Sequence, residues 1–189
     1  ILSGGVVAVP TESFYGLAVH AFNEKALERL FVVKRRREDN PLLILIASGE
    51  SLGSYVTEVS DKARKLVERF WPGGLTLVFS AKPVLPLSLT SGTGKIGIRL
   101  SSHPVPATLA EAVGAPVTGT SANRSGRPAC VTAEEVMAAV GQDIDLIVDG
   151  GRTPGGKGST VLDVTVDPPV VLREGMVSRE DLKPFLRRE

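Results

Sequence analysis

Arg99 ends a short run, Lys95-Ile96-Gly97-Ile98-Arg99, in which apolar and other residues alternate. Successive side chains of a β-strand point to opposite faces, so Lys95, Gly97 and Arg99 share one face and the isoleucines the other. An arginine beside a small residue can grip a carboxylate through two parallel hydrogen bonds. A surface salt bridge, contributing at most about 1 kcal/mol, is the competing reading. A second basic cluster, Lys34-Arg35-Arg36-Arg37, runs into Glu38-Asp39-Asn40-Pro41. Cations at a helix C-terminus complement the helix dipole, so a solvated helix end explains them without a ligand. As a phosphate clamp, guanidinium forks and an ammonium would neutralise a triphosphate, with Asn40 as a neutral donor. Four consecutive cations cannot all face one ligand, and Lys34 with Arg36 is the favoured pair.

Three polar loops could complete a site. Thr11, Glu12 and Ser13 follow a buried apolar run, offering two hydroxyls and a carboxylate, although such hydroxyls also cap turns. Thr120-Ser121-Ala122-Asn123 follows another run and could gather backbone N–H groups into an anion nest, or form a structural Asx turn. Gly151-Arg152-Thr153-Pro154-Gly155-Gly156-Lys157 matches the Walker A spacing through its lysine. However, Gly158 stands where that motif needs Ser or Thr, and the segment after it has strand periodicity where a P-loop opens a helix. A mobile Gly-rich loop closing over a ligand is the better reading. His20 and His103 have no cysteine partners for zinc, and no metal site is expected. Cys130 reads as a small packing residue, Trp71 as a corner, and Asp143, Asp145 and Asp149 as structural.

The elements that must carry these residues follow from apolar runs and punctuation. Strands are expected at 6–10, 42–47, 75–80, 95–100, 116–119, 146–149, 160–166 and 170–173. Helices are expected after Asn23, from Ser60 through Phe70, after Pro104, from Thr132 through Val140, and after Ser178. Thr132 with Glu135 makes a capping box. The interleaving predicts an α/β fold, a single domain over 1–189 with a mixed, twisted β-sheet flanked by helices. A chain of 189 residues buries roughly 70% of its unfolded surface. Its 22 basic and 21 acidic residues give a net charge of +1, which argues against a broad nucleic-acid footprint and permits a local basic pocket. No apolar run approaches the roughly 20 residues of a membrane helix, and the single cysteine suits a reducing, cytoplasmic setting. The first residue is Ile1, which leaves the natural start open.

Taken in order, these pieces resemble the YrdC-type threonylcarbamoyl-AMP synthase family from about Gly5 to Gly175. Pro10-Thr11-Glu12-Ser13-Phe14-Tyr15-Gly16-Leu17 is similar to its opening motif, Lys34-Arg35-Arg36 to its Lys-x-Arg, and Ser121-Ala122-Asn123 to its Ser-x-Asn. Ile96-Gly97-Ile98-Arg99 with His103-Pro104, Gly158-Ser159-Thr160-Val161 and Leu172-Arg173-Glu174-Gly175 complete the order. The resemblance implies a YrdC-like catalytic domain of the short form. It would join L-threonine, bicarbonate and ATP into threonylcarbamoyl-AMP, releasing pyrophosphate, with Mg2+ on the ATP. ATP would meet Lys34, Arg36, Asn40, Lys95, Ser121, Asn123, Ala129 and Arg173, of which Lys34, Arg36, Ser121 and Asn123 would be catalytic. Threonine would meet Thr11, Ser13, Arg99, Gly119 and Ser159. A tRNA-modifying threonylcarbamoyl transferase complex would receive the product, with weak tRNA or RNA contact. Ser13 replaces a usual threonine, Arg37 a common proline and Leu45 a histidine found in many relatives. Two rivals are an RNA-binding or ribosome-maturation module and a carbamoyl-transfer enzyme.

Overall fold

In the computed structural model, which describes residues 1–37 and 41–188, the strands form two sheets where one was expected. In chain order the elements are β1 (Val7–Val9), β2 (Gly16–Ala18), α1 (Glu24–Lys34), β3 (Leu43–Leu45), α2 (Asp61–Phe70), β4 (Leu75–Ser80), α3 (Leu87–Thr90) and β5 (Lys95–Arg99). They continue with α4 (Pro104–Val113), β6 (Val117–Thr118), β7 (Thr120–Ser121), α5 (Ala133–Val140), β8 (Leu146–Ile147), β9 (Thr160–Asp163), β10 (Val170–Arg173) and α6 (Arg179–Leu182). The small sheet has the order β7-β2-β1-β8, and the large one β10-β9-β4-β5-β3-β6. Both are mixed: β4 runs antiparallel to β5 and parallel to β9, and β1 antiparallel to β2 and parallel to β8.

The sheets are joined where β6 passes into β7. Thr118 donates its N–H to Val19 O at 3.0 Å, and its hydroxyl donates to Leu17 O at 3.1 Å, so one residue stitches the large sheet to the small one. Gly119 makes the passage possible. A Cβ there would lie 2.7 Å from side-chain carbons of Leu43 and Leu45, closer than carbon atoms approach.

Helix starts obey their caps. Asn23 Oδ1 accepts from Ala26 N at 3.1 Å, Ser60 Oγ from Ala63 N at 3.2 Å and Thr132 Oγ1 from Glu135 N at 3.2 Å. The Glu135 carboxylate reaches back to Val131 N at 2.7 Å, one residue earlier than a capping box requires. α1 buries Ala26, Leu27, Leu30 and Phe31 against a core that includes Ile44, Leu75, Leu77, Ile96, Ile98 and Leu162 of the large sheet. Each of the larger side chains, Leu27, Leu30 and Phe31, contributes roughly 1.5–3 kcal/mol when removed from water. Arg35, in the left-handed region at φ 49°, ends α1.

The 160–166 strand stops at Asp163 and the 146–149 strand at Ile147. β2, β7 and α3 fall in segments read as loop or turn. At two to four residues each, they are too short to show a period. Near the chain's end Gly175 is pressed onto the backbone of residues 158–160, where a Cβ would collide with Gly158 O. No helix among the described residues is long and apolar enough to cross a membrane.

Candidate active site

One face of the large sheet forms the floor of a cavity of about 710 Å³. Alternation decides which side chains it presents: Thr76 and Val78 from β4, Lys95, Gly97 and Arg99 from β5, and Val161 and Asp163 from β9. Ile96 and Ile98 point to the opposite side and are fully buried in the core. The walls come from Thr11, Ser13 and Phe14 after β1, Arg36 after α1, Gly119 to Ser121 at the passage from β6 into β7, Lys157 to Ser159 just before β9, and Arg173 with Glu174 at the end of β10. The volume falls within the range of small-molecule sites, about 300–1,000 Å³.

At one end of the floor Arg99 is 4% exposed and ion-paired with Glu12, whose second carboxylate oxygen accepts from the Ser101 hydroxyl. Burial, and after it the nearby Arg173, push the Arg99 pKa down to about 10, so it stays charged at neutral pH. Its buried Nε has no hydrogen-bond acceptor among the described residues. Beside it, the hydroxyls of Ser159 and Thr76 share a hydrogen bond of 2.8 Å. Arg173 donates to Ser159 O at 2.9 Å and to Ser159 Oγ at 3.1 Å. Arg36 donates to Pro41 O at 2.9 Å; burial and then the charge of Arg173 lower its pKa. Thr11 turns its hydroxyl to Phe14 O at 2.7 Å and lies 3.4 Å from Ser13 Oγ.

At the other end Lys95 donates to Asp163 at 2.8 Å, and Asp163 also accepts from Thr165 N at 2.9 Å and Thr165 Oγ1 at 2.6 Å. Burial opposes the Asp163 charge, but hydrogen bonds from Lys95 and Thr165 outweigh it and hold the carboxyl below its usual range.

Behind the wall the basic run makes a different contact. Lys34 is 1% exposed, and its ammonium donates to Ser121 O at 2.6 Å, Asn123 O at 2.9 Å and Asn123 Oδ1 at 3.1 Å. Asn123 Oδ1 also accepts from Ser121 Oγ at 2.6 Å, and its amide donates to Arg127 O. Burial, then repulsion from Arg36, bring Lys34 down to about 8.

The Sua5/YciO/YrdC family model, described as telomere recombination, matches residues 1–175. The chain belongs to the Sua5/YciO/YrdC family. It is 41% identical over 186 residues to a threonylcarbamoyl-AMP synthase of Pyrococcus abyssi, covering 98% of this chain and 55% of that one. A threonylcarbamoyl-AMP synthase of Bacillus subtilis is 40% identical over 182 residues, covering 96% and 53%. The chain thus spans about half the length of these two relatives. The crystal structure of P. abyssi Sua5 complexed with L-threonine superposes with a TM-score of 0.95 at 40% identity, covering 98% of this chain and 55% of that one.

Within this Sua5/YciO/YrdC fold, the cavity gathers Thr11, Ser13, Arg36, Lys95, Arg99, Gly119, Ser121, Ala129, Ser159 and Arg173 from the residues singled out in the sequence. Lys34 and Asn123 do not line it. The Lys34 ammonium is spent on Ser121 O and on Asn123, and the Asn123 amide on Arg127 O, so both buried polar groups are satisfied behind the wall. Asn40 lies outside the described residues. The glycine-rich segment is fastened over its first half: Tyr15 OH donates to Gly151 O at 2.7 Å, Gly155 N to Ser13 O at 2.7 Å and Thr153 N to Val131 O at 2.9 Å. Only Lys157, Gly158 and Ser159 of it line the cavity. Thr76, Asp163 and Glu174 also line it and escaped notice. Thr76 was findable, since the alternation that sorts β5 also sorts Leu75-Thr76-Leu77-Val78 into two faces. Cys130 is buried, Trp71 anchors its corner by donating to Leu75 O at 2.7 Å, and Asp145 binds Arg29 and Val6 N, each at 2.7 Å.

Proposed function

We propose that this chain forms threonylcarbamoyl-AMP and pyrophosphate from L-threonine, bicarbonate or CO2, and ATP, with residues 1–189 acting as one catalytic domain. The observation that carries this reading is a cavity with a buried arginine in its floor and two further guanidiniums, Arg36 and Arg173, in its walls. Relatives named threonylcarbamoyl-AMP synthase and the Sua5 complex with L-threonine supply the substrate class. An RNA-binding module has little use for Ser13, Arg99 and Ser159 converging on one cavity, and the net charge of +1 weakens that reading further.

Arg99 takes the threonine carboxylate, with Ser159, Ser13, Thr11 and Gly119 around the rest of the amino acid. Arg36, Arg173, Lys95, Ser121 and Ala129 face ATP. The threonine amine captures CO2 and loses a proton, giving an N-carboxylate. One oxygen of that carboxylate attacks the α-phosphorus, and the bond from that phosphorus to the bridging oxygen of pyrophosphate breaks. No protein nucleophile is needed; the residues hold two anions together and stabilise phosphoryl charge. Magnesium would arrive on the ATP, held mostly by phosphate and water. Of the cavity's carboxylates, Asp163 is already engaged by Lys95 and Thr165, and no cluster of three metal-ligand residues exists among the described residues. The product goes to a tRNA-modifying threonylcarbamoyl transferase complex in the cytoplasm, with weak tRNA contact at most.

Pyrophosphate release tests the reaction. It should require both threonine and bicarbonate, because the attacking group is built from the two. Equal ATP cleavage with either omitted would overturn the assignment.

A further inference from the structure

The reaction as proposed gives Thr76 no task, yet it is the polar member of an apolar run. In Leu75-Thr76-Leu77-Val78-Phe79 of β4, Leu75, Leu77 and Phe79 are buried in the core. Thr76 lies on the cavity face and is only 1% exposed. Its side chain is aimed from both flanks. On the β5 flank its methyl lies over Gly97, where a Cβ would come within 3.3 Å of Thr76 Cγ2. A β-branched side chain is stiff at χ1, so a methyl placed there sends the hydroxyl the other way, towards β9. There it meets the Ser159 hydroxyl at 2.8 Å, one residue before β9 begins at Thr160. The β4–β5 register sets Leu77 opposite Ile98, and one residue further it brings Thr76 beside Arg99.

The protons of this pair can be counted. Two hydroxyls carry two protons, and the bond between them uses one. Arg173 donates to Ser159 Oγ at 3.1 Å, and neither hydroxyl has a further partner among the described residues. One O–H is therefore left for the cavity. Within the pair either oxygen can be the donor. A carboxylate held by Arg99 brings acceptors only, and that settles the direction. Thr76, the more deeply buried of the two, donates to Ser159. Both lone pairs of Ser159 are then filled, by Thr76 and Arg173, and its own O–H is the group that points outward. Each bond in such a chain strengthens the next.

We propose that Thr76 is a positioning residue of the amino-acid site. It holds the Ser159 hydroxyl in the orientation that donates to the carboxylate of an amino acid gripped by Arg99. This rests on the reading that threonine occupies the Arg99 end of the cavity. Thr76 acts through Ser159 and makes no bond to the substrate itself.

The test is a titration of L-threonine into wild type, Thr76→Val and Thr76→Ser by calorimetry. Thr76→Val keeps the methyl over Gly97 and removes the hydroxyl; Thr76→Ser keeps the hydroxyl and removes the methyl. Thr76→Val should bind threonine about tenfold more weakly, as for one well-placed hydrogen bond, and Thr76→Ser should stay within about threefold of wild type. Packing alone would give the reverse order. If Thr76→Val does not fold, Thr76→Ala against Thr76→Ser repeats the comparison with the methyl absent from both. Ser159→Ala and the double variant Thr76→Val/Ser159→Ala locate the effect. Because Thr76 acts through Ser159, the double variant should bind threonine no more weakly than Ser159→Ala alone. Wild-type affinity in Thr76→Val, equal weakness in Thr76→Val and Thr76→Ser, or losses that add in the double variant would overturn the proposal. A wild type that binds no threonine would overturn the reading of the site along with it, so the two failures are distinguishable.

Discussion

Arg99 at the end of β5 and Lys34 at the end of α1 are both buried cations that the sequence offers as anion holders, and they end up with opposite partners. Arg99 stands on a strand whose alternation fixes its face, and that face floors the cavity. Lys34 stands on the last turn of a helix, and its long stem carries the ammonium inward to Ser121 and Asn123. A strand dictates direction for every second residue, whereas a helix end leaves direction to whatever acceptors lie within reach. Arg36, two residues on and past the left-handed turn at Arg35, recovers the cavity.

The largest expected effect breaks the Arg99 side of this contrast. Arg99→Lys keeps a charge but loses the planar fork, and threonine-dependent turnover should fall on the order of 100-fold while ATP affinity without threonine stays near wild type. Equal threonine affinity in titration calorimetry would remove Arg99 from the site. Arg36→Ala should cost a similar factor of about 100 in rate with an unchanged melting temperature, as for a group that meets charge in the transition state. Lys34→Met should act through stability. It leaves the Ser121 and Asn123 carbonyls without their donor, at about 1–3 kcal/mol for each orphaned acceptor, read as a lower denaturation midpoint. If Lys34→Met melts like wild type and loses only ATP affinity, the ammonium belongs to the cavity after all. Asn123→Ala should likewise lower stability by about 1–2 kcal/mol and change nucleotide affinity less than tenfold.

The smallest effect is a pH dependence. The folded-state pKa of Lys34, about 8, lies below its ordinary 10.5, so the unfolded chain holds more protons between those values. The cost of burying the ammonium is present in full below about pH 8 and is relieved as pH rises toward 10.5. Denaturation midpoints of wild type should therefore gain on those of Lys34→Met over that window. Arg99→Lys should leave that gain intact.

The same contrast explains what the sequence made legible. Long apolar periods placed α1, α2, β4 and β5, and the capping residues Asn23, Ser60 and Thr132 marked helix starts correctly. Strands of two or three residues, such as β2 and β7, carry no measurable period. Their pairing depends on partners far along the chain, so the second sheet was hidden. Within the site, the floor residues of β5 followed from alternation and Thr11, Ser13, Arg36 and Ser121 from polar clusters, whereas Gly119, Ala129, Ser159 and Arg173 came from the family resemblance alone. The ion pair of Glu12 with Arg99 joins residues distant in sequence, and nothing local announces it. Lys34 was legible as important but not as inward-facing, because helix periodicity positions a Cα and leaves four further side-chain bonds undetermined.

Gly175 carries a lesson for how motion in this molecule should be measured. Its close approach to residues 158–160, with Met176 N donating to Gly158 O at 2.9 Å and Thr160 N to Gly74 O at 2.9 Å, clamps the Ser159 backbone between two other stretches of chain. Glycine abundance from 155 to 158 is usually taken as a mark of looseness, yet here a glycine permits contact too close for any side chain. Amide exchange at Thr160 and Met176 should accordingly be slow and should track global unfolding, while the amides of Gly156 and Lys157 exchange fast. The hydroxyl of Ser159 would then sit on a rigid shelf beside a pliant rim, and chain mobility would change within about two residues of it.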